Sequence, residues 1–298
     1  MEINKLRDIL FTKAKEKGFS DCEIYYSDSS SFKVSVYKGK IEKYQNSQSG
    51  GYCFRGLYNG KMGYYFSENV DTADVDLIIA NAAANAEILS GEDEEFIFEG
   101  SEKYADIKTY DEKLAEMTAE EKINAALEME KAAAEYDKRI TVNSAVVVTC
   151  ENYIYIANTK GLNLNEKSNC IMALTEVMAE EKGETKEKGE LWMGSSISEF
   201  NPRGIAERAA EKVISALGGK SVKSGEKQVI IQNETFADIF SCFSSNFYAE
   251  NVQRGFSLLK DKIDTKIASD KITICDDPLL EGGYVTRSFD SELSLIHI

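Results

Sequence analysis

The sequence predicts an α+β protein: antiparallel sheets with packed helices, an N-terminal helix–meander–helix unit, and an incomplete C-terminal domain. Three observations predict it. Apolar residues switch between helical spacing and strict alternation along the chain, glycine-containing turns separate the alternating stretches, and the helical stretches carry caps.

Taken in order, Ile3, Leu6, Leu10 and Ala14 recur at helical spacing with Gly18 as a stop. This is a first helix and not a signal peptide, since it has no uninterrupted apolar core and no small-residue cleavage site. The stretches "DCEIYYSD", "SFKVSVYKG", "KIEKYQNSQ", "GGYCFRGLYNG" and "KMGYYFSEN" then alternate, and read as short strands punctuated by Gly39, Gly50-Gly51 and Asn59-Gly60. Asn-Gly is a strong hairpin signal because both residues tolerate positive φ. Phe32, Val34 and Val36 are expected on one face, Lys33 and Ser35 on the other. "DTADVDLIIANAAANAEIL" reads as a helix capped by Asp71 or Thr72. Residues 1–92 are expected to form the N-terminal domain, and 93–116 an acidic, solvated linker with one short strand.

The middle domain is expected over 117–222. In "TAEEKINAALEMEKAAAEYDKR", Thr118 and Glu121 form a capping box, each side chain satisfying an orphan amide of the first turn. Two long strands follow, then the helix "NPRGIAERAAEKVISALGG", capped by Asn201, opened by Pro202 and ended by Gly218-Gly219. Residues 223–292 are expected to begin a truncated C-terminal domain. There "KQVIIQN" reads as a short buried strand, "ETFADIFSCFSSNFYAENVQRGFSLLK" as mostly helical, and "CDDPLLEGGYVTRSFDSE" as a strand, a turn and the start of another strand.

Composition excludes several classes. With 35 basic and 51 acidic residues the net charge is −16, which disfavours nucleic-acid binding, where Lys and Arg must displace phosphate counterions. No window is apolar enough to span a membrane. The six cysteines, Cys22, Cys53, Cys150, Cys170, Cys242 and Cys275, form neither CxxC nor a zinc-ribbon spacing, and a reducing cytoplasm is expected. The one histidine is His297. Without it HExxH sites, Ser-His-Asp triads and Cys-His dyads are impossible. Phosphate-binding glycine loops are missing too. Asp276-Asp277 before Pro278 is the obvious carboxylate pair for a divalent cation, but adjacent strand residues point apart, and hydrogen bonding to turn amides is favoured.

Three blocks, in this order, resemble the TldD/PmbA family, once called modulators of DNA gyrase. They are "KGFSDCEIYYSDSSSFKVSVYKGKIEKYQNSQSGGYCFRGLYNGKMGYYFSENVD", "YDEKLAEMTAEEKINAALEMEKAAAEYDKRI" with "IANTKGL", and "ENVQRGFSLLKDKIDTKIASDKITICDDPLLEGGYVTRSFDSE". The third resembles the family's R-G-x-S helix end, D-D-P turn and F-D-x-E-G strand, placing motif positions at Arg254, Gly255, Ser257, Asp276, Asp277, Pro278, Asp290 and Glu292. TldD-like members carry HExxxH before R-G-x-S. Counted back without gaps, that motif falls on Phe240, Ser241 and Ser245, none of which is a conventional zinc ligand. The resemblance therefore implies the PmbA/TldE branch: no catalytic residue, metal or cofactor in this chain, and a TldD-like metallopeptidase partner that holds zinc or a similar divalent metal. The implied substrate is unfolded peptide, cleaved in a cytoplasmic heteromer. Alternatives are a non-proteolytic peptide-binding or regulatory protein, and an autonomous hydrolase with a carboxylate metal site at Asp276, Asp277, Asp290 and Glu292. "FDSE" is expected to continue with Gly and a longer domain. "LSLIHI" (residues 293–298) instead resembles the translated end of a transposase sequencing adapter, so His297 is expected to be an artefact.

Overall fold

The computed structural model describes residues 2–71, 73–89, 95–283 and 285–290. They form two compact units, one of residues up to 218 together with 278–290, the other of residues 219–277.

The first unit is built on one six-stranded sheet. Strands β1 (Phe19–Tyr37), β2 (Lys40–Tyr58) and β3 (Lys61–Ser67) form one meander, and β4 (Ile140–Asn158), β5 (Asn163–Glu181) and β6 (Glu184–Gly194) a second. The order is β3-β2-β1-β4-β5-β6, with every neighbouring pair antiparallel. Lys38-Gly39 and Asn59-Gly60 turn the first meander at φ of 52°, 71°, 53° and 76°, the positive pair that matches strand twist. The seam between the meanders runs in unbroken register from Glu23↔Asn158 to Val36↔Ala145.

The five short strands expected before residue 70 are in fact three. "DCEIYYSD" and "SFKVSVYKG" fuse into β1, and "KIEKYQNSQ" continues through Gly50-Gly51 into β2, giving strands of 19 residues. At about 3.3 Å per residue such a strand is about 60 Å long. Gly50 and Gly51 serve close approach and not a turn. A Cβ on Gly50 would stand 3.0 Å from the Ser27 carbonyl oxygen, and one on Gly51 2.9 Å from that of Ser67.

Two pairs of helices share one face of this sheet. α1 (Ile3–Lys17) and α2 (Val75–Ile88) cover one end, burying Leu6, Leu10, Ile78 and Ala82 against Ile24, Phe54 and Ala157. α4 (Ala119–Tyr136) and α5 (Pro202–Ser215) cover the other, burying Met129, Ala133, Ala209 and Val213 against Val34, Val36, Val147 and Ala173. Alanine facing the sheet lets these backbones approach closely, and from Cys22 onward, past an irregularity after Phe19, the buried β1 residues in both clusters are the even-numbered ones. The expected capping box is present: the Thr118 amide donates to Glu121 Oε2 at 2.7 Å and the Glu121 amide to Thr118 Oγ1 at 3.2 Å. Asn201 caps α5 through the Gly204 amide. The cap of α2 is Asp74, receiving the Leu77 amide, and not Asp71; Thr72 lies outside the described residues.

The opposite face carries the stretch expected as solvated linker. Ile97 is fully buried, and Phe98 and Tyr104 pack with Phe289 over Ile156 and Leu162. The short helix α3 (Glu112–Ala115) follows.

The second unit holds α6 (Asn233–Ser241), a 3-10 turn at Ser244–Phe247, and α7 (Ala249–Gln253). The stretch expected to be mostly helical is so, in three short pieces, while neither "KQVIIQN" nor the described part of "CDDPLLEGGYVTRSFDSE" is a strand. Ile230 is 99% exposed. A two-sided apolar segment needs a neighbour on each face to be a buried strand, and among the described residues of this unit Ser257 alone is buried.

Candidate functional site

The sheet face away from α1, α2, α4 and α5 carries a cavity of about 480 Å³. Its floor is Tyr25, Ser27 and Ser29 of β1, Asn152 and Ile154 of β4, and Glu166, Ser168 and Cys170 of β5; Lys108, Thr109, Arg287 and Phe289 stand at its walls. Alternation explains the floor. The odd positions of β1 that point here are serine and tyrosine, while the even ones supply the core.

Both walls are tied to β5. The Asn169 amide donates to the Thr109 carbonyl at 3.1 Å, and Thr109 Oγ1 donates to the Lys167 carbonyl at 2.6 Å. The Asn169 side chain then clamps Asp111, donating from Nδ2 to its carbonyl (2.8 Å) and accepting its amide at Oδ1 (2.9 Å). Asp111 Oδ2 in turn accepts Ser196 Oγ and the Ile197 amide, both at 3.0 Å. Burial pushes the Asp111 carboxyl up, but these donors outweigh it and hold it below the usual carboxylate range. On the other wall, the Ser288 amide and hydroxyl both donate to Glu166 Oε2 (3.2 and 2.9 Å). On the floor, Ser29 Oγ donates to Asn152 Oδ1 at 2.8 Å. Burial raises the Tyr25 hydroxyl above its ordinary value, partly offset by Arg287.

The motif positions read from the sequence do not line this cavity. Arg254 ends α7 and pairs with Glu250 Oε1 at 2.9 Å, and Gly255 takes φ 75° just beyond, as a helix terminus requires. Ser257 Oγ donates to the Asn246 carbonyl at 2.6 Å and accepts the Leu259 amide at 2.9 Å, tying the 3-10 turn to the segment after α7. R-G-x-S is here a helix stop with a latch. Asp276 and Asp277 are exposed, Pro278 and Asp290 half-buried, and Glu292 and His297 lie outside the described residues. Among the described residues, no three of His, Cys, Asp and Glu come together as a metal-holding group.

Phe240 and Ser241 end α6, and Ser245 sits beyond it in the 3-10 turn. Phe240 stacks on Phe236 (centroids 6.3 Å apart) and leans on Phe247 (5.8 Å), while Ser241 Oγ is spent on the Asp238 carbonyl at 2.7 Å. An aromatic ring and two hydroxyls do not fit a zinc ion, which takes imidazole, thiolate or carboxylate ligands. The cavity presents hydroxyls, amides, the Lys108 and Arg287 cations and the Asp28 and Glu166 carboxylates.

Sequence reasoning missed the cavity, because its residues come from three strands and three remote segments. It also missed Glu23. This side chain is 2% exposed and receives Arg55 Nε and Nη2, both at 2.7 Å, with Asn158 Nδ2 at 3.4 Å. Arg55 lies in the alternating stretch "GGYCFRGLYNG", where nothing points to its partner on the neighbouring strand.

Three sequence profiles of one family match the chain. They are the PmbA/TldA metallopeptidase domain 1 over residues 22–86, its central domain over 112–217, and its C-terminal domain over 224–292. An α+β chain carrying these three domains in succession is the class that fold and sequence define together. The chain belongs to the PmbA/TldD family. It is 24% identical over 294 residues to an uncharacterized protein of Methanocaldococcus jannaschii, covering 98% of this chain and 65% of that protein. It is 26% identical over 180 residues to the metalloprotease PmbA of Escherichia coli, covering 60% of this chain and 40% of that protein. The fold is that of a Thermotoga maritima protein described as a candidate modulator of DNA gyrase (TM-score 0.91, 24% identity, 98% of this chain and 67% of that one). It is also that of TldE from Thermococcus kodakarensis (TM-score 0.83, 20% identity, 96% and 65%). The chain thus spans less than two thirds of the length of the curated relatives it matches.

Proposed function

We propose that this chain is a PmbA/TldE-like, metal-free subunit of a heteromeric TldD/PmbA-type metallopeptidase, contributing substrate-binding surface while a TldD-like partner holds the metal. The observation that carries this reading is Phe240, packed between Phe236 and Phe247, at the position where the first histidine of HExxxH would fall. The substrate class is unfolded peptide. Hydroxyl and amide groups on the cavity floor suit main-chain hydrogen bonding, which is indifferent to side-chain sequence. The reading places the pair in the cytoplasm and leaves nucleic acid and membrane out.

Co-expressed with a TldD-like subunit of the same genome, the chain is expected to co-purify with it and to raise its cleavage of an unfolded casein-type peptide. The chain alone is expected to cleave none. Metal-dependent cleavage by the chain alone, abolished by alanine at Asp276, Asp277 and Asp290, refutes the reading in favour of a carboxylate-site hydrolase. Tight peptide binding by the chain alone, with no effect on any TldD-like subunit, refutes it in favour of a regulatory binding protein.

A further inference from the structure

Cys150 of β4 and Cys170 of β5 are direct partners across the strand pair. Directly opposed residues of antiparallel strands share a face. Here it is the cavity face, since the flanking Ile171 points into the helix-covered core. Both sulfurs are half-buried thiols, not joined in a disulfide. Opposed residues of antiparallel strands have Cα atoms about 4.5–5.5 Å apart, inside the range of about 4.4–6.8 Å that a disulfide spans. Cys170 lines the cavity and Cys150 does not.

We propose that Cys150 and Cys170 form a peroxide-responsive dithiol, in which Cys170 reacts first from the cavity and Cys150 resolves it into a cross-strand disulfide. The order follows from access to the cavity. Cys170 is the thiol that a peroxide entering the cavity meets, while the contact with Cys170 and burial suppress the acidity of Cys150. The Cys170 thiol gives up its proton and its sulfur attacks one peroxide oxygen. The O–O bond breaks, leaving Cys170 sulfenic acid, and the second oxygen departs as water. The Cys150 sulfur then attacks the sulfenic sulfur, the S–O bond breaks, and a second water leaves. Two thiols are oxidised by two electrons and one hydrogen peroxide is reduced to two waters. Two of the other thiols are poorly placed for this: burial pushes Cys22 up to about 12 and also raises Cys53. The product removes a thiol from the cavity floor and staples the β4–β5 hairpin beneath it.

The test uses the whole chain, treated with hydrogen peroxide, alkylated with iodoacetamide and cut with trypsin after Arg139, Lys160, Lys167 and Lys182. The expected product is a disulfide joining peptides 140–160 and 168–182, lighter by two hydrogens than the reduced pair. In Cys150→Ser, dimedone is expected to trap sulfenic acid on 168–182; in Cys170→Ser, labelling of 140–160 is expected to stay at background. No linked pair, at a peroxide dose that oxidises the exposed Cys242 and Cys275, overturns the proposal. Equal dimedone labelling of the two single variants overturns the order of reaction. The linked-peptide measurement on the unsubstituted chain stands even if a serine variant fails to fold.

Discussion

Removing Arg55 while leaving Glu23 in place is the sharpest test of how this sheet is held. Glu23 sits at 2% exposure in the middle of three strands, directly opposite Arg55 on β2 and Asn158 on β4. Arg55, 29% exposed, supplies two of its donors, both to Oε1 at 2.7 Å, and Asn158 reaches Oε2 only at 3.4 Å. The Asn158 amide is meanwhile committed to the Phe98 carbonyl at 2.7 Å. Arg55→Met keeps the aliphatic bulk but leaves a buried carboxylate with one long hydrogen bond. Breaking one side of a buried pair costs about 3–5 kcal/mol. Glu23→Gln is milder, about 1–2 kcal/mol, because Arg55 keeps access to water and a neutral amide still accepts. The pair Glu23→Leu/Arg55→Met is expected to recover most of the Arg55→Met loss, since no charge is then stranded. The assay is urea unfolding followed by circular dichroism, with all variants compared at one m-value. An Arg55→Met loss below about 1 kcal/mol, or a double variant no better than that single one, refutes the claim that the strand row is held by charge compensation.

Two further outcomes are expected. Burial pushes the Glu190 carboxyl up, but Arg208 Nε (2.7 Å) and Lys212 Nζ (2.6 Å) on α5 outweigh it and hold it below its ordinary value. A depressed folded pKa contributes stability that is present above the unfolded value of about 4.3 and is lost as pH falls through the folded one. Glu190→Gln should therefore lower Tm at pH 7 and lower it less at pH 3; a pH-independent Tm difference refutes this. Gly63 of β3 packs against the α2 backbone so closely that a Cβ would collide with the Ala82 carbonyl oxygen. Gly63→Ala is expected to cost about 1–3 kcal/mol or more by overpacking, read from the urea midpoint, whereas Gly189→Ala, with nothing nearer than 3.5 Å, should cost well under half as much.

The local events were legible in the residues. Gly18 as a stop, the Thr118–Glu121 box, the Asn201-Pro202 start and the Asn59-Gly60 hairpin each depend on a few consecutive side chains and one backbone geometry. The alternation of Phe32, Val34 and Val36 likewise declared its own buried face. The family too could be read from the order of three blocks. Strand length could not. "SDSSS" and "SGG" resemble turns until another strand lies beside them, and β1 supplies that neighbour for β2 through Asp28↔Gly50 and Ser29↔Ser49. The α2 cap moved to Asp74 for a similar reason, since several acids compete for one helix start and packing of Ile78 and Ile79 selects the frame. The Glu23–Arg55–Asn158 row, the Ser29–Asn152 contact on the cavity floor and the Cys150–Cys170 pair join residues that lie 20 to 135 positions apart. Sequence spacing carries the chain's local hydrogen bonding and its period of burial. Which strands become neighbours, and so which distant side chains meet on a shared face, is decided by sheet register, a property of the folded chain as a whole.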